Sequence, residues 1–419
     1  MTGLDMKKIV VFGAGNVGRS LVGQLFSRAG YEVVFVDVMN EIVNLLNTRR
    51  RYRIEVRDFH SETIWVENVR AVHGRETEKV AHEIATADIM ATAVGANNLE
   101  PVYGSIAEGL VKRLAMSKGP IDILICENVR GAANLFREGL AKHLPEGYLL
   151  DSMAGLVETS IGKMVPLMTE EQKQQDPLLI YAEAYNKIVL DKKAFRNPIP
   201  EVEGLEPKEN MAAYVDLKIF VHNMGHAATA YLGYITDNDM KFIWEAIGNN
   251  HVRKAAQGAM WEAGRALIRK YPREFNEGNV KGHIDDLIRR FGNRALGDTI
   301  YRVGRDVPRK LSGNDRLVGA LLLEKKHSVP STLTTLAIGA ATLFRARDDD
   351  GNLYPADKVF SEEIYPQGID YVLERVCGLD PQKEELLIRD IRRTHALLLR
   401  DPERWFSILK RAGMFDRFR

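Results

Sequence analysis

Cysteine is nearly missing from this chain: Cys126 and Cys377 are the whole supply in 419 residues. Two thiols cannot build a disulfide framework or a cysteine-based zinc site, so a reducing compartment, the cytoplasm, is the expected location. No apolar run reaches the roughly 18 residues that span a bilayer, and MTGLDMKKIVVFGAG lacks the long apolar core and cleavage site of a leader. Excess charge of one sign is missing too. With 58 Lys and Arg against 57 Asp and Glu the net charge is +1, which argues against nucleic acid and membrane surfaces as partners. There is no internal repeat and no low-complexity tract.

What is present is ordinary globular material, 45% apolar and 27% charged. The length exceeds what one hydrophobic core usually supports, so two domains are expected. From Lys7 to about Leu150, short β-branched runs alternate with amphipathic stretches. Strands are predicted at 7–12, 32–37, 87–94 and 121–127, with helices such as NVGRSLVGQLFSRAG between them. That alternation implies a parallel sheet covered on both faces. Beyond Pro200 helical patterns take over, and NPIPEVEGLEPKEN marks the change. The expected fold is therefore α/β: a Rossmann-like doubly wound sheet over residues 1–205, then a mostly α-helical domain over 206–419.

Gly13, Gly15 and Gly18 of FGAGNVGR follow the first predicted strand and open a predicted helix. In that setting Gly13 permits a tight turn, Gly15 admits a pyrophosphate to the backbone, and Gly18 allows close packing of helix on strand. Ala14, Asn16 and Val17 complete a turn whose amides would face the phosphates. Asp37 ends the second predicted strand, where an acid receives ribose hydroxyls, and its charge favours NAD over NADP. The alternative is a plain packing turn.

Lys218, Asn223 and His226 occur within one predicted helix, at α-helical angles that place Asn223 about 140° and His226 about 80° from Lys218. A lysine kept neutral by an apolar pocket suits a general base, an asparagine amide suits a developing alkoxide, and a histidine orients either. Each residue also has a bland reading, as a solvated lysine or a satisfied core polar group. His222 and His226 stand at the i, i+4 spacing of metal ligands, but Asn223 occupies the place of the glutamate in H-E-x-x-H and no third ligand is evident, so no metal is expected.

The order K-x-x-x-x-N-x-x-H, together with LKIFVHNMGHAATAYLG, ADIMATAVGANNLEPV, ICENVRGAANL and RVGRDVPRKLSGNDRL, resembles the polyol-specific long-chain dehydrogenase family, and most of all its mannitol-phosphate branch. The likeness runs over most of the chain. It implies an NAD-binding domain that includes Val94, a helical catalytic domain, Lys218 as base, and Asn223 with Asn128 of the CEN motif as paired amide donors to the alkoxide. The implied reaction interconverts mannitol 1-phosphate and fructose 6-phosphate. The chain departs from the family at Gly162 and Lys163, where an acid and an arginine commonly stand, with Glu158 as a nearby substitute. It is also longer than that branch leads one to expect.

Between Arg302 and Arg316 five basic residues fall close together. Arg309 and Lys310, with Arg305, are the expected grip on a sugar phosphate, since arginine meets phosphate oxygens bidentately. Asp306 and Asp315 are near enough to neutralise them. A free-polyol dehydrogenase or a uronate reductase of the same family is the alternative, and a non-catalytic NAD sensor is the alternative of another class.

Overall fold

The strands of the first half are nearly continuous runs of Val, Ile, Leu and Phe, and side chains on a strand point alternately to opposite faces. In β1, Lys8–Phe12, Ile9 and Val11 join one apolar cluster and Val10 and Phe12 another. Val33 and Phe35 against Val34 and Val36 divide in the same way in β2, Glu32–Asp37. Both faces are thus buried, as a parallel sheet requires.

The computed structural model describes residues 6–58, 60–166, 168–401 and 405–406. It divides into two units, Met1–Tyr214 and Val215–Arg419. Nine further strands follow in the first: β3, Arg51–Arg57; β4, Ser61–Glu67; β5, Val69–His73; β6, Ile89–Thr92; β7, Ile121–Ile125; β8, Ala154–Ile161; β9, Ile180–Ala182; β10, Ile188–Asp191; and β11, Leu205–Lys208. The main sheet runs β11-β10-β8-β7-β6-β1-β2-β5. Its six strands from β8 to β5 are parallel, in the doubly wound order, and β10 with β11 extends it antiparallel to β8. A second sheet, β4-β3-β9, was not expected from the sequence. The strand predicted at 87–94 is shorter, Ile89–Thr92, because the chain turns off the sheet at Ala93 to pass the glycine turn.

The second unit is helical. Met224–Thr236 is almost wholly buried at its centre and packs against Asn250–Lys270, Ile243–Gly248, Thr332–Thr342 and Ile300–Gly304. Helix Glu385–Arg400 lays Leu387, Ile388, Ile391 and Leu398 against Thr332–Thr342, whose Gly339 faces Thr394 and Leu398. Among the described residues no helix is long and apolar enough to cross a membrane.

Glu262 and Glu324 are buried in this unit and meet at one hydroxyl. Thr334 Oγ1 lies 2.8 Å from Glu324 Oε1 and 3.3 Å from Glu262 Oε2, while Glu262 also accepts the Leu333 and Thr334 amides. One hydroxyl proton cannot serve two carboxylates, so one of the acids must carry a proton. Burial raises both, Glu262 to about 7, and Glu262 raises Glu324 further; Arg265 opposes the shift. Because the folded-state values are raised, each acid's contribution is present at low pH and is lost as pH climbs above about 4.5, for Glu262 through about 7. Glu324→Gln should therefore stabilise the protein increasingly with pH, by on the order of 1 kcal/mol at pH 8, or about 2–4 °C in Tm. A difference in Tm that stays flat from pH 5 to 8 would contradict this.

Candidate active site

The glycine turn follows β1 and its three glycines meet three different surroundings. Gly13 has φ +94°, and a Cβ there would lie 2.5 Å from the Ala93 carbonyl and 3.2 Å from Val94 Cγ1. A Cβ on Gly18 would lie 2.0 Å from the Gly13 carbonyl. Gly15 has open space around it, so that stretch of backbone is free to receive a ligand. Gly18 begins a π-helical turn, Gly18–Gly23, that continues into Gln24–Arg28. Asp37 reaches back to this turn: Oδ2 accepts the Ala14 amide at 2.7 Å and Oδ1 the Met39 amide at 2.9 Å. An acid at the carboxyl end of β2, beside glycines whose side-chain space is filled by backbone, is a cradle fitted to a dinucleotide. Asn16 and Val17 lie in the same turn, and Val94 is brought beside it.

In the second unit, Lys218–Asn223 is not α-helical as expected. It is a π turn, with the Met224 amide donating five residues back to the Ile219 carbonyl. Five-residue repeat contacts change the face that the spacing implies. On a regular α-helix Asn223 lies about 140° around from Lys218, and the wider π turn alters that angle. Single π turns of this kind occur at functional sites.

Burial, helped by the Arg316 guanidinium, lowers the Lys218 ammonium from 10.5 to about 8. His226 stacks on Phe291, with ring centroids 4.6 Å apart and planes at 10°, and its Nε2 lies 3.5 Å from the buried Asp298 Oδ2. Asp298 is also paired with Arg302. Burial pushes His226 down to about 3, and Arg302, Arg316, Lys310 and Arg290 add to the effect in that order. His226 is thus a neutral ring at ordinary pH. His222 is buried against the same Phe291, with centroids 6.0 Å apart, and is also held neutral. Among the described residues no three His, Cys, Asp or Glu side chains are grouped as a metal site would need.

The structure separates the basic residues of 302–316. Arg309 is half exposed and faces outward between Asp306 and Asp315, paired with both. Arg305 lies over the rings of Tyr301 and Tyr354. Lys310 is buried, donates to the Arg305 carbonyl, and is lowered to about 7 by burial and then by Arg316 and Arg309. The cations whose charge reaches His226 are Arg302, Arg316, Lys310 and Arg290. Asp298 was not named from the sequence, and Arg316 was counted in the basic run without being chosen for the phosphate. Their signal is positional, Asp298 and Arg302 being one helical turn apart, but nothing in the spacing alone distinguishes that pair from a surface ion pair.

Asn128 belongs to the first unit and is exposed in the loop that follows β7. Glu158 does not lie one helical turn from Gly162 as a substitute acid. It stands on β8, and its Oε1 accepts the Gly131 and Ala132 amides at 3.0 and 3.3 Å. Lys163 donates to Asn186.

Fold and residues together define a two-unit dehydrogenase of the Rossmann type. Residues 7–204 match the mannitol dehydrogenase Rossmann domain and residues 210–370 the mannitol dehydrogenase C-terminal domain, and the chain belongs to the mannitol dehydrogenase family. It is 37% identical to mannitol-1-phosphate 5-dehydrogenase of Brevibacillus brevis over 81% of this chain and 86% of that one. It is 33% identical to the enzyme of that name from Bacillus velezensis, over 88% and 94%. Mannitol 2-dehydrogenase of Pseudomonas fluorescens, solved with NAD and D-mannitol, has the same fold with a TM-score of 0.74, covering 97% of this chain and 95% of that one at 16% identity. Helix Glu385–Arg400 lies beyond the matched residues.

Proposed function

We propose that the chain interconverts D-mannitol 1-phosphate and D-fructose 6-phosphate with NAD. The observation that carries this reading is a lysine lowered to about 8 on the same helix as an amide and a neutral histidine, with Arg316 acting on both and Arg302 and Lys310 on the histidine. The relatives that cover most of the chain are named for that reaction. The glycine turn and Asp37 would hold NAD, which would supply the hydride acceptor. Neutral Lys218 takes the hydroxyl proton as the carbinol C–H leaves as hydride, and the C–O bond becomes a carbonyl. The side-chain amides of Asn223 and Asn128 donate to the oxygen while it carries charge. In the other direction the Lys218 ammonium returns the proton. A small-molecule substrate and a cytoplasmic setting complete the reading, the latter in keeping with two unpaired, buried thiols.

The sugar phosphate is assigned to Arg302, Lys310 and Arg316, with Arg309 on their outer side. A free polyol would need no such cluster, and a uronate would use it for a carboxylate. NADH oxidation followed at 340 nm with fructose 6-phosphate, fructose, fructuronate and tagaturonate separates these. Fructose 6-phosphate should win by at least about 100-fold in kcat/KM, the worth of one or two charge-assisted contacts. Preference for an unphosphorylated sugar or a uronate would refute the phosphate assignment and leave the dehydrogenase reading standing. NADPH should serve poorly, because Asp37 repels the additional phosphate.

A further inference from the structure

Asn128 occupies a short loop, Asn128–Arg130, whose two ends are each held by a carboxylate. On the upstream side Glu127, 6% exposed, reaches across to the turn after β6. Its Oε1 accepts the Val94 amide at 3.0 Å and its Oε2 the Gly95 amide at 2.8 Å. Asn98 closes the same turn by donating to the Val94 carbonyl at 2.9 Å. On the downstream side Glu158 of β8 holds Gly131 and Ala132 by a single oxygen, Oε1. β7, which ends two residues before Glu127, pairs directly with β8, with Ile125 opposite Glu158, and Thr159 Oγ1 donates to the Ile125 carbonyl at 2.9 Å.

The Val94–Gly95 turn is also the wall of the glycine turn, since Val94 Cγ1 and the Ala93 carbonyl occupy the space a Gly13 side chain would take. Glu127 therefore ties two things together through its neighbours: the turn packed against the dinucleotide cradle and the start of the loop that presents Asn128. Glu158 ties only the end of that loop.

We propose that Glu127 and Glu158 are positioning residues of the reaction, Glu127 setting both the cofactor-side turn and the Asn128 loop, and Glu158 setting the Asn128 loop alone. This rests on the reading of Asn128 as an alkoxide donor. A specific consequence follows from oxygen usage. Glu127 accepts through two oxygens, so a glutamine there puts an NH2 group against one of the two amides. Glu158 accepts both amides through one oxygen, so a glutamine can turn its carbonyl to them and keep the contact.

The test uses the full-length protein, with NADH affinity read from its fluorescence, kcat and KM from fructose 6-phosphate reduction, and folding from Tm. Glu127→Gln should weaken NADH binding and lower kcat, each about tenfold, the scale of one misdirected buried amide. Glu158→Ala should lower kcat about tenfold with NADH affinity unchanged, and Glu158→Gln should restore kcat to within about threefold of the parent. Asn128→Ala combined with Glu158→Ala should be no slower than Asn128→Ala alone, because Glu158 acts through Asn128. A Glu127→Gln protein that matches the parent, a Glu158→Gln protein as slow as Glu158→Ala, or fully additive losses in the double variant would each overturn the proposal. Full turnover in Asn128→Ala would instead overturn the donor reading on which it rests. Should Glu158→Ala fail to fold, the contrast between the two glutamine variants decides alone.

Discussion

Lys218→Ala should lose about 10³-fold in turnover, in the range that positioned acid–base groups supply, while binding NADH as tightly as the parent. The argument is one of proton balance. Oxidation needs an unprotonated amine, and an ordinary lysine at 10.5 would be almost wholly charged at neutral pH. Burial and the Arg316 charge bring Lys218 to about 8. Polyol oxidation should therefore rise with pH and level off above about 8, whereas ketose reduction, which needs the ammonium, should fall through the same region. Opposite limbs with a shared midpoint are the signature of a single group used in both directions. Rates in both directions that keep their pH profiles in Lys218→Ala would assign the proton transfer elsewhere. Lys218→Arg should be equally inactive, since a guanidinium cannot be deprotonated in this range.

The parallel half of the fold was legible because its signal is local: four β-branched runs separated by helix-length segments read directly as β1, β2, β6 and β7. The strands that escaped notice have reasons. β3, with Arg51, Arg53, Glu55 and Arg57 outward and Tyr52, Ile54 and Val56 buried, is half charged and pairs with β9, which lies more than a hundred residues away in sequence. Its apolar face packs into the cluster built around Ile9, Leu21, Phe26 and Phe35, which its own alternation does not reveal. β10 and β11 join the main sheet through antiparallel pairing to β8, a relation that no periodicity records.

The candidate site divides in the same way. The tight turn at Gly13 and the close approach at Gly18 were readable because they are set within a few residues of backbone. The residues around Lys218 were readable as types and were expected on one helix face, but the π turn that carries them was not. The α-helical reading puts Lys218, Asn223 and His226 within one broad face, and the π turn over Lys218–Asn223 is a local departure from the regular repeat that the spacing does not record. Glu158 illustrates the converse error. Proximity in sequence to Gly162 made it look like a replacement acid, yet on a strand its carboxylate turns to the Gly131 and Ala132 amides. The acid that faces His226 is Asp298, more than seventy residues downstream of it.

Arg316→Gln should raise the KM for fructose 6-phosphate about 10²-fold, while Arg309→Gln should change it less than about threefold. Both are arginines of one short segment, and their surroundings separate them. Arg309 is half exposed and already paired with Asp306 and Asp315, so its removal deletes a screened surface contact. Arg316 is mostly buried, its charge lowers both Lys218 and His226, and Asp315 is the carboxylate it pairs with. Removing it takes a charge-assisted contact from the phosphate and a like charge from beside Lys218. The second loss has its own readout. With Arg316 gone, the Lys218 value should move up toward 10.5, and the falling limb of ketose reduction should shift to higher pH. Arg302→Gln should also weaken fructose 6-phosphate binding, but through a different electrostatic change: it leaves the Asp298 carboxylate unneutralised next to His226, which favours the protonated ring. Kinetics with fructose itself isolate the phosphate contribution, because kcat/KM for the unphosphorylated sugar should scarcely respond to Arg316→Gln once compared at the shifted optimum. An unaltered KM for fructose 6-phosphate in Arg316→Gln, with a large rise in Arg309→Gln, would move the phosphate to the outer face of the segment.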